Sequence, residues 1–130
     1  MRYFRYKEFD SPDLKRSGLK MMKPHFLEFI DELRHRCGFP FVITSGFRTV
    51  RYNQRLIESP HYKASPKSSH LKGIAADVSI RDAKSRALFV GHAVELCDEL
   101  NLPLRIGIAR TFCHIDLDTT EKSSPRIWTY

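Results

Sequence analysis

Residues 68–77 read Ser68-Ser69-His70-Leu71-Lys72-Gly73-Ile74-Ala75-Ala76-Asp77, and the alternating pattern continues to Ile80. Gly73 permits a tight turn, after which the alternation predicts a β-strand over residues 74–80. The large apolar side chains share one face of this strand, whereas Asp77 lies on the opposite face between the small residues Ala75 and Ser79. A buried carboxylate without a partner is costly, so we expect Asp77 to have a partner.

A second stretch alternates in the same way, Phe112-Cys113-His114-Ile115-Asp116-Leu117-Asp118. Cys113, Ile115 and Leu117 are predicted to point inward, while His114 and Asp116 point together to the other side. If the two strands lie side by side, His70, Asp77 and His114 form one cluster. Two imidazoles and a carboxylate are a common ligand set for a catalytic zinc that keeps a fourth position for water. The alternative is that these side chains are structural, hydrogen-bonded groups.

The rest of the chain predicts an α+β fold. Its 130 residues, 42% of them hydrophobic and 28% charged, are expected to form a single domain over residues 1–130. Apolar spacing predicts helices over residues 23–37, 50–58 and 82–100. Strands are predicted over residues 41–44, 74–80, 104–108, 112–117 and 126–129, with a loop over 59–69. These elements lack regular βαβ spacing, which favours a small central antiparallel or mixed sheet flanked by helices.

The net charge of +7, from 22 Lys and Arg against 15 Asp and Glu, favours anionic partners. The basic residues are scattered and match no nucleic-acid motif, so nucleic acid is not the favoured partner. A dispersed positive surface equally suits an acidic cell-wall polymer, or is simply a solvated surface. No apolar run approaches the roughly 18 residues of a membrane-spanning helix.

The other metal-binding residue types are not expected to form a site. Three cysteines without a CxxC pair argue against a disulfide framework and a thiolate zinc site, and are predicted to be buried apolar residues, Cys37, Cys97 and Cys113. The remaining histidines lack a partner at ligand spacing and are predicted to lie on the surface, His25, His35, His61 and His92.

Three motifs in order resemble the zinc D-alanyl-D-alanine peptidases. The first is Thr44-Ser45-Gly46-Phe47-Arg48, with Asn53 in its usual place. The second is Ser68-x-His70-x-x-Gly73-x-Ala75-x-Asp77, followed by His114-x-Asp116. The third is the ending Pro125-Arg126-Ile127-Trp128. That family includes D,D- and L,D-carboxypeptidases, vancomycin-resistance dipeptidases and phage L-alanyl-D-glutamate endolysins. The resemblance implies a Hedgehog/D,D-peptidase-like fold.

Carried onto this sequence, the resemblance makes the zinc ligands His70, Asp77 and His114. It makes Arg48 the cation that faces the substrate carbonyl or terminal carboxylate, a role that suits a planar guanidinium. The alternative for Arg48 is a structural ion pair. Ser68 and Asn53 are expected on the substrate side, although Ser68 could instead only shape the turn.

The general base is less well defined by the sequence. Many family members place an acidic residue three positions before the second histidine ligand, but here that position is Thr111. Asp116 is our catalytic candidate because it shares a strand face with His114, two residues away. Asp116 could instead orient an imidazole ligand through its second nitrogen. Asp118 is a third candidate.

The resemblance implies a zinc-dependent peptidase that hydrolyses a peptide bond in peptidoglycan stem peptides. It would act as a carboxypeptidase or an endopeptidase, for example as a phage endolysin. The alternative is a non-catalytic zinc-binding module of the same fold, as in the Hedgehog signalling domain, that binds an anionic polymer. The first eight residues lack the apolar stretch of a signal peptide. We therefore expect synthesis in the cytoplasm and release to the cell wall by a holin or by lysis.

Overall fold

The computed structural model describes residues 1–130. The four α-helices are Ser17–Met21 (α1), Pro24–Cys37 (α2), Val50–Glu58 (α3) and Ala83–Leu100 (α4). The five strands are Ile43–Ser45 (β1), Ala75–Ser79 (β2), Arg105–Ile108 (β3), Phe112–Asp116 (β4) and Arg126–Thr129 (β5). Two short 3₁₀ helices complete the fold, Tyr6–Phe9 and Ser69–Lys72.

All five strands belong to one sheet in the order β1-β2-β4-β3-β5. The pairs β1/β2, β2/β4 and β3/β4 are antiparallel, and β5 joins the edge of β3 in parallel. The predicted α+β fold with a small mixed sheet is therefore confirmed.

The hydrophobic core lies between one face of this sheet and the helices α2 and α4. A cluster of 22 buried residues joins Phe26 and Ile30 of α2, Phe89 of α4, and the inward side chains Val78 and Ile115 of the sheet. Each such side chain contributes about 1.5–3 kcal/mol when fully buried. Because every second side chain of β2 and β4 points into the core, the side chains between them lie together on the opposite face of the sheet, as the alternation predicts.

Local sequence signals set the helix boundaries. Pro24 is the first residue of α2, and Gly38 ends that helix with a left-handed backbone, φ 75°. The Asp82 side chain accepts a hydrogen bond from the backbone N–H of Ser85 at 3.0 Å and caps α4.

The structure differs from the prediction at three places. β1 begins at Ile43 rather than at residue 41, because the backbone of Phe41 makes no hydrogen bond to β2 and Val42 makes a single one, accepting from the N–H of Ser79 at 2.9 Å. The predicted loop ends in the 3₁₀ helix that begins at Ser69. The sequence pattern does not predict the 3₁₀ helix Tyr6–Phe9 or α1, since four or five residues are too few to show an apolar period.

None of the helices combines the length and apolar character needed to cross a bilayer. The three cysteines are free and buried, as predicted. Burial raises the pKa of Cys37 to about 12 and the pKa values of Cys97 and Cys113 to about 11.

The buried thiols give a test of this fold. Because a high pKa and burial both suppress the thiolate, we expect all three cysteines to react with iodoacetamide at least roughly 100-fold more slowly than a free thiol in the folded protein. In guanidinium chloride all three should react rapidly. Mass spectrometry counts the alkylated sites, and one cysteine modified at the free-thiol rate before unfolding would contradict the packing.

Candidate metal centre

Three side chains from separate elements meet on the polar face of the sheet: His70, Asp77 and His114. Asp77 on β2 and His114 on β4 are direct partners in the antiparallel register, which fixes their side chains next to each other. Asp77 Oδ1 lies 3.2 Å from His70 Nε2 and 2.9 Å from His114 Nδ1. These three candidate ligand atoms all lie within 4.8 Å of one another, and all three residues are buried. The predicted cluster is therefore present.

The turn before β2 places His70 in this cluster. Ser68 caps the 3₁₀ helix by accepting the His70 N–H at 3.3 Å. Gly73 ends it with φ 69°, and a Cβ at this position would collide with the carbonyl oxygen of Met21. The hydrogen bond from the His70 N–H shows that Ser68 shapes the turn. Ser68 also lines the cleft above the cluster.

The proton of His70 is fixed on one nitrogen. Nδ1 lies 2.6 Å from the carbonyl oxygen of Gly46, and because a carbonyl only accepts, Nδ1 donates. Gly46 itself allows a close approach, since a Cβ there would lie 2.5 Å from the Cα of Phe9. Burial lowers the pKa of His70, which favours the neutral ring. The lone pair of Nε2 then faces the Asp77 carboxylate without a proton between them.

His114 is held in a similar way from its other nitrogen. Nε2 donates to Asp116 Oδ2 at 2.7 Å, and this bond directs Nδ1 toward Asp77. Burial alone would lower the pKa of His114, but hydrogen bonds to Asp116 and Asp77 outweigh it and raise the pKa to about 9. A second proton therefore occupies Nδ1 when nothing else neutralises the carboxylate, and a cation would replace it.

This donor set fits a zinc ion. Two imidazole nitrogens and one carboxylate oxygen converge, and three protein ligands leave a fourth position free in catalytic zinc sites. The second nitrogen of each histidine is bonded to a carbonyl or a carboxylate, as is usual for metal-bound histidines. Burial would raise the pKa of Asp77, but His70 and His114 outweigh it and keep the carboxylate ionised.

Arg48 reaches the cluster from the loop before α3. Its Nη2 donates to Asp77 Oδ2 at 3.2 Å, and its Nε donates to Ser45 Oγ at 2.9 Å. The ion pair considered from the sequence is thus formed, and Arg48 also lines the cleft. Asn53 does not line the cleft: its amide accepts from Arg48 at 3.4 Å and donates to the carbonyl of Ser65 at 2.8 Å. These contacts favour a positioning role for Asn53 over direct contact with substrate.

Asp116 is almost completely buried and its oxygens are occupied. Oδ2 accepts from His114, while Oδ1 accepts from Arg105 Nε at 2.8 Å and from the backbone N–H of Asp118 at 3.0 Å. Burial would raise the pKa of Asp116, but the bond to His114 outweighs it and holds the pKa below its ordinary value. A general base works best with a pKa near the operating pH. The geometry therefore favours Asp116 as the group that orients His114.

Asp118, the third sequence candidate for the base, lies outside the cleft. It is fully buried and accepts hydrogen bonds from Ser69 Oγ at 2.8 Å and from Lys72 Nζ at 3.1 Å. Lys122 Nζ lies 3.1 Å from Asp118 Oδ2. This ionic cluster ties the His70 turn to the segment after β4. Most of its partners are far apart in the chain, so no sequence spacing reveals it.

The cluster lies in a cleft of about 1290 Å³ with an aromatic wall from β5. Trp128 packs 5.7 Å from the His114 ring, and Arg105 lies 5.1 Å from the Trp128 ring. Gly107, the residue of β3 paired with His114, leaves room for this indole: a Cβ there would lie 2.7 Å from it. The glycine within a predicted strand is the sequence signal for this close approach.

Comparisons with known proteins agree with this geometry. The family described as Peptidase M15 matches residues 2–116. Among solved structures, the Serratia marcescens L-Ala D-Glu endopeptidase ChiX is similar with a TM-score of 0.63 and 17% sequence identity, over 77% of this chain and 83% of that one. No curated protein sequence matches. The match over most of the sequence, together with the shared fold, shows that the chain belongs to the Peptidase M15 family.

Proposed function

We propose that this protein is a zinc-dependent peptidase that hydrolyses a peptide bond in the stem peptides of peptidoglycan. The observation that carries the proposal is the pair of histidine nitrogens, Nε2 of His70 and Nδ1 of His114, that face one oxygen of Asp77. Membership of the Peptidase M15 family supports peptide hydrolysis. The similar solved structure is that of an L-Ala D-Glu endopeptidase, which supports endopeptidase rather than carboxypeptidase action.

Different residues of the chain have different roles in such a reaction. Zinc held by His70, Asp77 and His114 would supply a Lewis acid for the scissile carbonyl and lower the pKa of water. Asp116 keeps the proton of His114 on Nε2, so that Nδ1 stays directed at the metal position. Arg48 presents a fixed positive charge to the cleft beside Asp77, where negative charge on the carbonyl oxygen develops.

The attacking water must transfer a proton to a general base in the cleft. Besides Asp77, two carboxylates line it, Asp116 and Glu121. Asp116 is a weak proton acceptor, because both of its oxygens already accept hydrogen bonds and, despite burial, the bond to His114 holds its pKa below the ordinary value. Glu121 is exposed and pairs only with the exposed Lys67 at 3.4 Å. We propose Glu121 as the acceptor and Asp116 as a positioning residue.

Removal of one histidine ligand tests the metal centre. We expect His114→Ala to lose zinc on dialysis and to lose activity, because two ligands hold the ion poorly. Elemental analysis measures zinc, and release of new amino groups from cell-wall sacculi, with and without chelator, measures activity.

The matched control is His25→Ala, which removes an exposed histidine of α2 that does not line the cleft. It should behave as the unmodified protein does. Wild-type zinc content in His114→Ala would contradict the site. Bound zinc without any release of amino groups by the unmodified protein would instead support the non-catalytic, anion-binding module.

Two carboxylate variants separate positioning from proton transfer. Asp116→Asn should weaken zinc affinity by about 10–100-fold, as loss of a hydrogen-bond partner of a ligand does. Glu121→Gln should keep zinc affinity and lower kcat by about 100-fold, as loss of a general base does. Zinc titration calorimetry and peptide hydrolysis measure the two effects, with Asp98→Asn on the exposed side of α4 as the control. Unchanged zinc affinity with a lowered kcat in Asp116→Asn, together with wild-type kcat in Glu121→Gln, would instead make Asp116 the base.

A conservative change at Arg48 tests its catalytic role. A lysine keeps the positive charge, but it lacks the planar guanidinium that donates hydrogen bonds to Ser45 and Asp77 at the same time. We expect Arg48→Lys to lower kcat by about 100-fold, the scale of a lost oxyanion donor, while zinc content stays at the wild-type level. Wild-type kcat in this variant would restrict Arg48 to a structural ion pair.

A further inference from the structure

The cleft carries more positive charge than its own carboxylates neutralise. Three of its basic side chains have a partner inside the protein: Arg48 pairs with Asp77, Arg105 with Asp116, and Lys122 with Asp118. Four others are exposed and have no carboxylate within 4.0 Å, and we call them the basic rim: Lys63, Arg81, Arg110 and Arg126. The one remaining acidic side chain of the cleft lining, Glu121, already pairs with Lys67. The uncompensated charge of the cleft therefore lies on its rim.

The sheet register places the rim on both sides of the metal centre. Ser79 of β2 pairs with Phe112 of β4. Arg81 lies two residues after Ser79 and Arg110 two residues before Phe112, so both lie at the same end of this antiparallel pair. Arg126 pairs with Arg105 at the level of Asp116, at the opposite end. The pair Asp77–His114 lies between these two ends. Lys63 is added from the loop after α3.

Such a distribution suits a substrate with negative charge on both sides of the reacting bond. Charges of one sign along a cleft raise the local concentration of an oppositely charged ligand. The guanidinium groups match carboxylates in geometry and form paired hydrogen bonds with them. Because Arg48 and Arg105 are already paired with Asp77 and Asp116, selection of an anionic substrate falls to the rim.

We infer that the basic rim makes this peptidase selective for acidic peptides, with free carboxylates on both sides of the bond that is cut. The inference rests on the proposed function and adds to it the substrate class. Amidation of those carboxylates removes the charge and leaves the length and the backbone of the peptide unchanged, so the amidated peptide is the matched poor substrate.

The test uses the zinc-loaded full chain and two stem peptides of the same sequence, one with free carboxylates and one with them amidated. We expect the unmodified protein to prefer the free form by about tenfold in kcat/KM, mainly through KM, as two exposed charge pairs allow. In Arg81→Gln/Arg126→Gln, which removes one charge from each end, the preference should fall below about threefold. The control Lys20→Gln/Lys84→Gln loses the same charge at exposed positions outside the cleft and should keep the preference.

Each contrary outcome has a distinct meaning. Equal cleavage of the two peptides, or a full preference kept by the rim variant, would overturn the inference and leave the proposed function in place. Cleavage of neither peptide by the zinc-loaded protein would overturn the proposed function and the inference with it. Inhibition by poly(glycerol phosphate) that the rim variant relieves, without a change in peptide preference, would assign the rim to a phosphate polymer and overturn selection of acidic peptides.

Discussion

Two imidazole nitrogens and a carboxylate oxygen face one another on the polar side of the sheet, and this arrangement is the constraint on which the site depends. Acceptors cannot remain this close in a buried place unless a proton or a cation lies between them. The Gly46 carbonyl fixes the proton of His70 on the far nitrogen, and Asp116 does the same for His114. Once a cation replaces the second proton of His114, both rings can present an unshared pair to the same point.

Charged pairs around the cluster support this arrangement, and two of them, Arg105–Asp116 and Arg48–Asp77, are themselves buried. Arg105 holds Asp116, Arg48 holds the second oxygen of Asp77, and the lysines around Asp118 fix the turn that carries His70. Removal of one partner from a buried pair typically costs about 3–5 kcal/mol, because the other charge is left uncompensated. The polar face of the sheet is thus a network in which the loss of a distant member changes the geometry of the metal position.

Much of this network can be predicted from the sequence. The period of two in β2 and β4 indicates which face each side chain occupies, and it brings Asp77 and His114 together once the two strands lie side by side. The same pattern leaves two roles open for Asp116 and does not predict the contacts of Asp118, because the partners Arg105, Ser69 and Lys72 lie 11 to 49 positions away in the chain. The N-terminal helices are too short to show a period, although Phe9 packs directly on Gly46.

X-ray absorption at the zinc edge, on protein loaded with one equivalent of zinc, tests the central claim most directly. The account predicts a shell of nitrogen and oxygen ligands at about 2.0–2.2 Å with the multiple scattering of two imidazoles and no sulfur, since all three cysteines belong to the hydrophobic core. A sulfur ligand at about 2.3 Å, or a shell without imidazole, would contradict it.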